Sequence, residues 1–152
     1  MLGLTDPEIL FVVTAFLFQG VLIGHFAVRK WRFSLALRYG PIVYALSIPA
    51  TAVSILLLSK GSPWWLWLGG FIYLVWAAFG YTVEYVRRIE WRAPIRWPIF
   101  GPYVTLYLAT VMFYWWPLAR IWRPLWYLGA ALFLISTLLN VTSHKGKMQQ
   151  FE

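Results

Sequence analysis

Residues 64–86 read WWLWLGGFIYLVWAAFGYTVEYV, 23 positions with a single charged side chain, Glu84. An apolar run of this length matches the ~20 residues that carry a helix across the ~30 Å hydrocarbon layer, and it is about twice as long as a barrel strand. In hydrocarbon each backbone polar group must be paired within its own segment, so the run predicts a transmembrane helix. Working outward, similar runs lie near 9–28, 40–59, 99–118 and 124–143. The expected fold is an all-α integral membrane protein, five helices in an up-and-down bundle. One membrane domain then covers residues 1–152 and leaves no soluble domain. The composition agrees: 61% of residues are apolar, 12% are charged, and the mean hydropathy is +0.67, where soluble domains are about a quarter charged.

The basic residues set an orientation. Arg29, Lys30, Arg32 and Arg38 follow the first span, Arg87, Arg88, Arg92 and Arg96 follow the third, and Lys145 and Lys147 follow the fifth. The opposite connections hold only Lys60, Arg120 and Arg123. By the positive-inside rule the N-terminus is expected outside and the C-terminus in the cytoplasm, with anionic lipids as partners on the cytoplasmic face. A prokaryotic cytoplasmic membrane is the expected location. Asp6 and Glu8 precede the first span without a basic residue, so that span reads as retained rather than as a cleaved leader. The formal charge of +8 sits at span ends beside Trp31, Trp91 and Trp97, as interfacial anchors do, and nucleic acid is not an expected partner. Without cysteine there is no disulfide, thiolate metal site or cysteine nucleophile, and no histidine–acid spacing suits a metal. The Asn140-Val141-Thr142 sequon lies inside a span, out of reach of glycosylation.

Helix breakers place the joints. Pro63, Pro102 and Pro124 stand near expected helix starts, as does Gly40-Pro41. Pro49 falls mid-span and predicts a kink whose freed carbonyl Ser47, Thr51 or a second helix can satisfy. Residues 89–98, with Trp91, Pro94, Trp97 and Pro98 among arginines, predict an irregular segment in the cytoplasmic headgroup layer. Val28-Arg29-Lys30-Trp31-Arg32 before Tyr39-Gly40-Pro41 is echoed by Val86-Arg87-Arg88 and Trp91-Arg92 before Phe100-Gly101-Pro102, as two hairpins of one orientation would be.

Candidate sites follow from polar groups inside spans. Gly70, Tyr73, Ala77, Gly80 and Glu84 share one helix face, so Glu84 faces protein, either as a partner of Arg87 or Arg88 or as a proton- or ligand-binding carboxylate. His25 follows the small pair Gly20 and Gly24, which admits the approach of another helix. His25, Glu84, Asn140 and His144 share an inner-leaflet depth, where two groups of separated pKa can do acid–base work. Tyr103, Tyr107, Thr110 and Tyr114 descend one face of the fourth span. They serve either as bonds to Gln19, Thr51 or Ser136, or as the wall of a cavity for an apolar ligand with a polar head. A bis-histidine haem needs His25 and His144 at one depth, and His144 lies beyond the hydrocarbon, so no cofactor is expected. Trp64, Trp65, Trp67, Trp115, Trp116, Trp122 and Trp126 form an outer belt or a contact patch for a ligand or protein.

In outline, a tryptophan-rich chain of five short-looped spans resembles the tryptophan-rich sensory, or translocator, proteins, and that resemblance implies binding of porphyrin or sterol-like ligands. Their paired prolines are absent, Pro94, Pro98 and Pro102 being isolated, so the resemblance covers architecture alone. The expected function is that of a small non-enzymatic membrane protein, either an accessory subunit of a larger complex or the binder of a lipid-like ligand within the bundle. A homo-oligomer is a further possible assembly. Two alternatives are an enzyme for a lipid or isoprenoid substrate with Glu84 and His25 as acid and base, and an oligomeric transporter or channel using Glu84. No span carries the series of charged residues that an ion pathway needs.

Overall fold

The computed structural model describes residues 3–92 and 94–145, with His144 and Lys145 described in backbone only. Within them the protein is helical, without a strand. Helix α1, Asp6–Trp31, opens with Asp6 and Glu8 in its first turn and closes with Arg29 and Lys30 in its last, charges that match the helix dipole at both ends. Glu8 accepts a hydrogen bond from the backbone N–H of Thr5 at 2.9 Å.

A single residue, Arg32, turns the chain into α2, Phe33–Tyr39. A connection was expected there on account of its charges, but no proline or glycine occurs before Gly40, so nothing stops the helix. Next come α3, Pro41–Ala45, and α4, Ser47–Ser59. The three helices make one apolar stretch of 27 residues, Phe33–Ser59, which at ~1.5 Å per residue runs to ~40 Å and outreaches the hydrocarbon layer. The second span thus begins at Phe33 rather than at residue 40.

The break between α3 and α4 falls at Leu46, three residues before Pro49, where the proline ring crowds the preceding turn. Ser47 Oγ donates to the Tyr44 carbonyl at 2.6 Å, Thr51 Oγ1 to the carbonyls of Ser47 at 2.7 Å and Gly70 at 3.3 Å, and Tyr73 Oη to the Val43 carbonyl. The joint is therefore held by hydroxyls from its own helix and from the next one.

Helix α5, Trp64–Tyr81, passes into a π-helical turn, Thr82–Val86. After the irregular residues 87–92 and 94–96 come α6, Trp97–Trp115, α7, Leu118–Ile121, and α8, Arg123–Lys145. Helix α4 packs along α5, α5 along α6, and α1 against α8. Gly70 makes the first of these contacts possible, since a Cβ there would lie 2.8 Å from the Ala50 carbonyl oxygen. The shared core is aromatic: Phe18 meets Tyr73 at 4.8 Å and Tyr114 at 5.2 Å between ring centroids, contacts worth ~0.5–1.5 kcal/mol each beyond buried area.

Four stretches are long and apolar enough to cross a membrane: Asp6–Trp31, Phe33–Ser59, Trp64–Val86 and Arg123–Ser143. The protein is a membrane protein of helical type. Helix α6 has 19 residues but is not among these four stretches, because Trp97, Pro98, Pro102 and three tyrosines lower its hydropathy. It also begins before Pro102, which lies inside the helix rather than at its start. Gly40-Pro41 interrupts a helix while Gly101-Pro102 does not, so the sequence echo yields two different local structures. Gly20 and Gly24 are exposed, with nothing within 4 Å of where a Cβ would stand, and the helix contact expected there is not made among the described residues.

Candidate functional site

Where the C-terminal ends of α1 and α5 meet the start of α6, the helices diverge around a cavity of about 650 Å³, within the range of small-molecule sites. Trp76 of α5 and Glu84 and Tyr85 of the π turn line it, together with Tyr44 of α3. A Cβ at Gly80 would lie 2.7 Å from Cε1 of Tyr44, so only glycine admits the Tyr44 ring at that level. Seated there, Tyr44 donates to Glu84 Oε2 at 2.7 Å, and its hydroxyl lies 3.0 Å from that of Tyr103. Tyr44 has one proton, and the carboxylate takes it. Tyr103 is therefore the donor to Tyr44, and a chain of two hydroxyls, from α6 through α3, ends on one carboxylate of the π turn.

The other carboxylate oxygen, Glu84 Oε1, accepts from Arg92 Nη2. Glu84 was expected to pair with Arg87 or Arg88 at helical spacing. Its partner is instead eight residues away, because the π turn and the irregular segment return the chain across the end of α5. Arg88 takes φ 50°, and the Ile89 N–H bonds the Val83 carbonyl at 3.0 Å, which directs the chain back over the cavity. The Arg92 guanidinium lies 4.5 Å above the Trp91 ring centroid, and Trp91 stacks obliquely on Tyr103 at 4.7 Å. Trp91 is only 4% exposed, whereas Trp31 and Trp97 are both 69% exposed. The last two fit the expected anchors, while Trp91 is a wall of the cavity.

His25 and Arg29 bring α1 to the same cavity, and Thr137 and Asn140 bring α8. Arg29 is 9% exposed, the Glu84 side chain 19% and that of Arg92 37%, so Arg92 stands nearest the mouth. The rest of the wall is apolar or aromatic, including Leu22, Trp76, Val104, Leu108 and Phe133. Helices α6 and α8 touch sparsely, α6 being held through α5 and α8 through α1, so the apolar part of the cavity lies along a seam between them.

Of the residues singled out in the sequence, His25, Glu84, Asn140, Tyr103 and Tyr107 line this cavity. Thr110 and Tyr114 do not. Thr110 is fully buried and bonds the Leu106 carbonyl of its own helix at 2.8 Å. The Tyr114 hydroxyl is buried with no hydrogen-bond partner, as is Gln19 Oε1, so the bonds expected between the tyrosine stripe and Gln19 are not made. Ser136 bonds the Phe133 carbonyl at 2.9 Å within its own helix, and Thr51 is taken by Ser47 and Gly70. The side chain of His144 lies outside the described residues, and with it the second ligand of the haem arrangement. Among the described residues no group of three histidine or acidic side chains suits a metal ion.

The outer tryptophans are largely tied to one another. Trp115 stacks on Trp126 at 5.2 Å and donates to its carbonyl at 3.1 Å, and Trp64 meets Trp116 at 5.9 Å. Sequence reading missed Tyr44, Arg29, Trp76, Trp91 and Arg92 as site residues. For Tyr44 the only trace is the glycine at 80, which makes room for a ring whose identity no periodicity reveals. Comparison of the chain with family models, curated proteins and solved structures finds no match, so the architectural likeness to the translocator proteins rests on the sequence outline alone.

Proposed function

We propose that the protein binds an amphiphilic, lipid-like ligand inside its helix bundle. The observation that carries this reading is the cavity of about 650 Å³, whose polar groups cluster at the basic end while its remaining wall is apolar and runs to the seam between α6 and α8. A polar head fits beside Arg92, Glu84, Tyr44 and Tyr103, and an apolar tail fits along Val104, Leu108 and Phe133. In this reading all five long helical stretches cross a prokaryotic cytoplasmic membrane with the N-terminus outside, and the head lies in the inner leaflet.

Native mass spectrometry of the full chain, extracted in mild detergent, tests the reading. Wild type is expected to carry an amphiphile that Val104→Trp, which fills the tail region, loses. Wild type that carries none, and gains no thermal stability from a total lipid extract, overturns it. A second reading, an enzyme with Glu84 and His25 as acid and base, is favoured by one observation, that both line the same cavity. A change in mass of the bound amphiphile over time, abolished in Glu84→Gln, distinguishes it from simple binding.

A further inference from the structure

His25 of α1, Tyr107 of α6, and Thr137 and Asn140 of α8 line the cavity, and their side chains make no hydrogen bond among the described residues. All four are half-buried. Their polar atoms stay open, unlike Gln19 Oε1, Trp76 Nε1 and the Tyr114 hydroxyl, which are sealed in the interior. Thr14, Thr110 and Thr142 each turn the hydroxyl onto the carbonyl four residues earlier, at 2.8, 2.8 and 2.7 Å, the ordinary way to satisfy a hydroxyl within a helix. Thr137 does not make that bond and lines the cavity instead. The charged groups, by contrast, are engaged. Glu84 accepts from Arg92 and Tyr44, Tyr103 donates to Tyr44, and Arg29 has an interaction of its own. A charged head would have to displace one of these contacts or stand unpaired in a largely apolar chamber, and both are costly.

We infer that the ligand of this cavity is an amphiphile with an uncharged, hydroxyl-bearing head, received by His25, Tyr107, Thr137 and Asn140, with its tail in the seam between α6 and α8. The inference rests on the ligand-binding reading above and specifies the class of ligand. Hydroxyls and a carboxamide both donate and accept, as does an uncharged imidazole. A hydroxyl head answers both roles. An ether or ester head only accepts, so it leaves acceptors of the site unpaired, and a site built for hydrogen bonds discriminates strongly against such a ligand. Tyr107 stands one turn beyond Tyr103 on α6, so the head lies beside the hydroxyl chain to Glu84 without breaking it. Because α6 and α8 touch sparsely, a head held between Tyr107 and Thr137 supplies a polar link that the two helices do not make with each other.

The test uses the full chain in nanodiscs of phosphatidylcholine, titrated with four probes of one tail: oleyl alcohol, oleyl methyl ether, oleyl phosphate and oleylamine, with affinities compared per mole fraction in the bilayer. Oleyl alcohol is expected to bind about fivefold or more tightly than the methyl ether, as one additional hydrogen bond gives, and more tightly than either charged probe. Thr137→Val and Tyr107→Phe each delete a hydroxyl and keep the shape of the side chain, and Asn140→Leu removes the carboxamide. Each should lower the preference for the alcohol over the ether by about threefold and leave the affinity for the ether within about twofold. Three variants on two helices guard against one that does not fold. Thr142→Val, whose hydroxyl is held by its own helix, should change nothing.

Equal affinity for the alcohol and the ether overturns the inference and leaves the ligand-binding reading standing. Tighter binding of oleyl phosphate or oleylamine than of the alcohol does the same, and assigns recognition of the head to the charged groups. Binding of none of the four overturns both. A preference for the alcohol that persists in Thr137→Val, Tyr107→Phe and Asn140→Leu alike, or that is lost in Thr142→Val, places the head elsewhere and also overturns the inference.

Discussion

Tyr44 carries more of the site than any other side chain. Its hydroxyl donates to Glu84 at 2.7 Å and receives from Tyr103 at 3.0 Å, while its ring occupies the space that Gly80 leaves open. Tyr44→Phe keeps the ring and removes one donor from a carboxylate, a loss of ~1.5–3 kcal/mol for a hydrogen bond to a charged group. Gly80→Ala puts a methyl 2.7 Å from the ring and displaces it, which costs ~1–3 kcal/mol in a packed interior. Both act through the same hydroxyl contact, so the double variant should lose less than the two single losses added together. Reversible denaturation of the three variants in detergent measures this; strict additivity would mean that the Tyr44 ring stays in place when Gly80 is filled.

At the scale of the element, the turn after α5 decides which arginine reaches Glu84. The π turn Thr82–Val86 widens the last helical turn, and Arg88 at φ 50° reverses the chain. An L-residue with a Cβ is strained in that region and glycine is not. Arg88→Gly is therefore expected to raise stability by ~0.5–1 kcal/mol, even though glycine loses more chain entropy on folding. Arg87→Gly, at an ordinary helical φ of −83°, should lower it. A thermal melt comparing the two variants checks the sign of each. This turn also marks where the sequence stops being legible. Apolar runs, prolines and the face of Gly70, Tyr73, Ala77 and Gly80 predict the helices and the buried side of α5, because each depends on spacing along one segment. The Glu84–Arg92 pair depends on a backbone reversal at a residue type that does not advertise it. The helix over Phe33–Tyr39 was hidden for another reason: its charges suggested a connection, yet nothing in it breaks a helix.

For the whole molecule the open question is whether α6 crosses the membrane, since it is less apolar than the four other long stretches. Its contacts with α5 bear on the proposed fifth crossing. Trp64 meets Trp116 at 5.9 Å, a Cβ on Gly69 would stand 3.3 Å from the Phe113 carbonyl oxygen, and Trp76 meets Tyr107 at 5.4 Å and Tyr103 at 5.8 Å. As the number rises along α5 it falls along α6, so the two run antiparallel side by side from Tyr103 to the end of α6. A helix of 19 residues extends ~28 Å at ~1.5 Å per residue, about the thickness of the hydrocarbon. The proposed crossing of α6 beside α5 fits this length and packing, and its tyrosines face the cavity and core. Five crossings put the termini on opposite sides, and four put them on the same side. The chain has no cysteine, so Gly3→Cys and Gln149→Cys each introduce a unique label. With five crossings and the basic ends inside, an impermeant maleimide should label Gly3→Cys in intact cells and reach Gln149→Cys only after permeabilisation. Labelling of both in intact cells, or of neither, would mean an even number of crossings and would overturn the five-span reading.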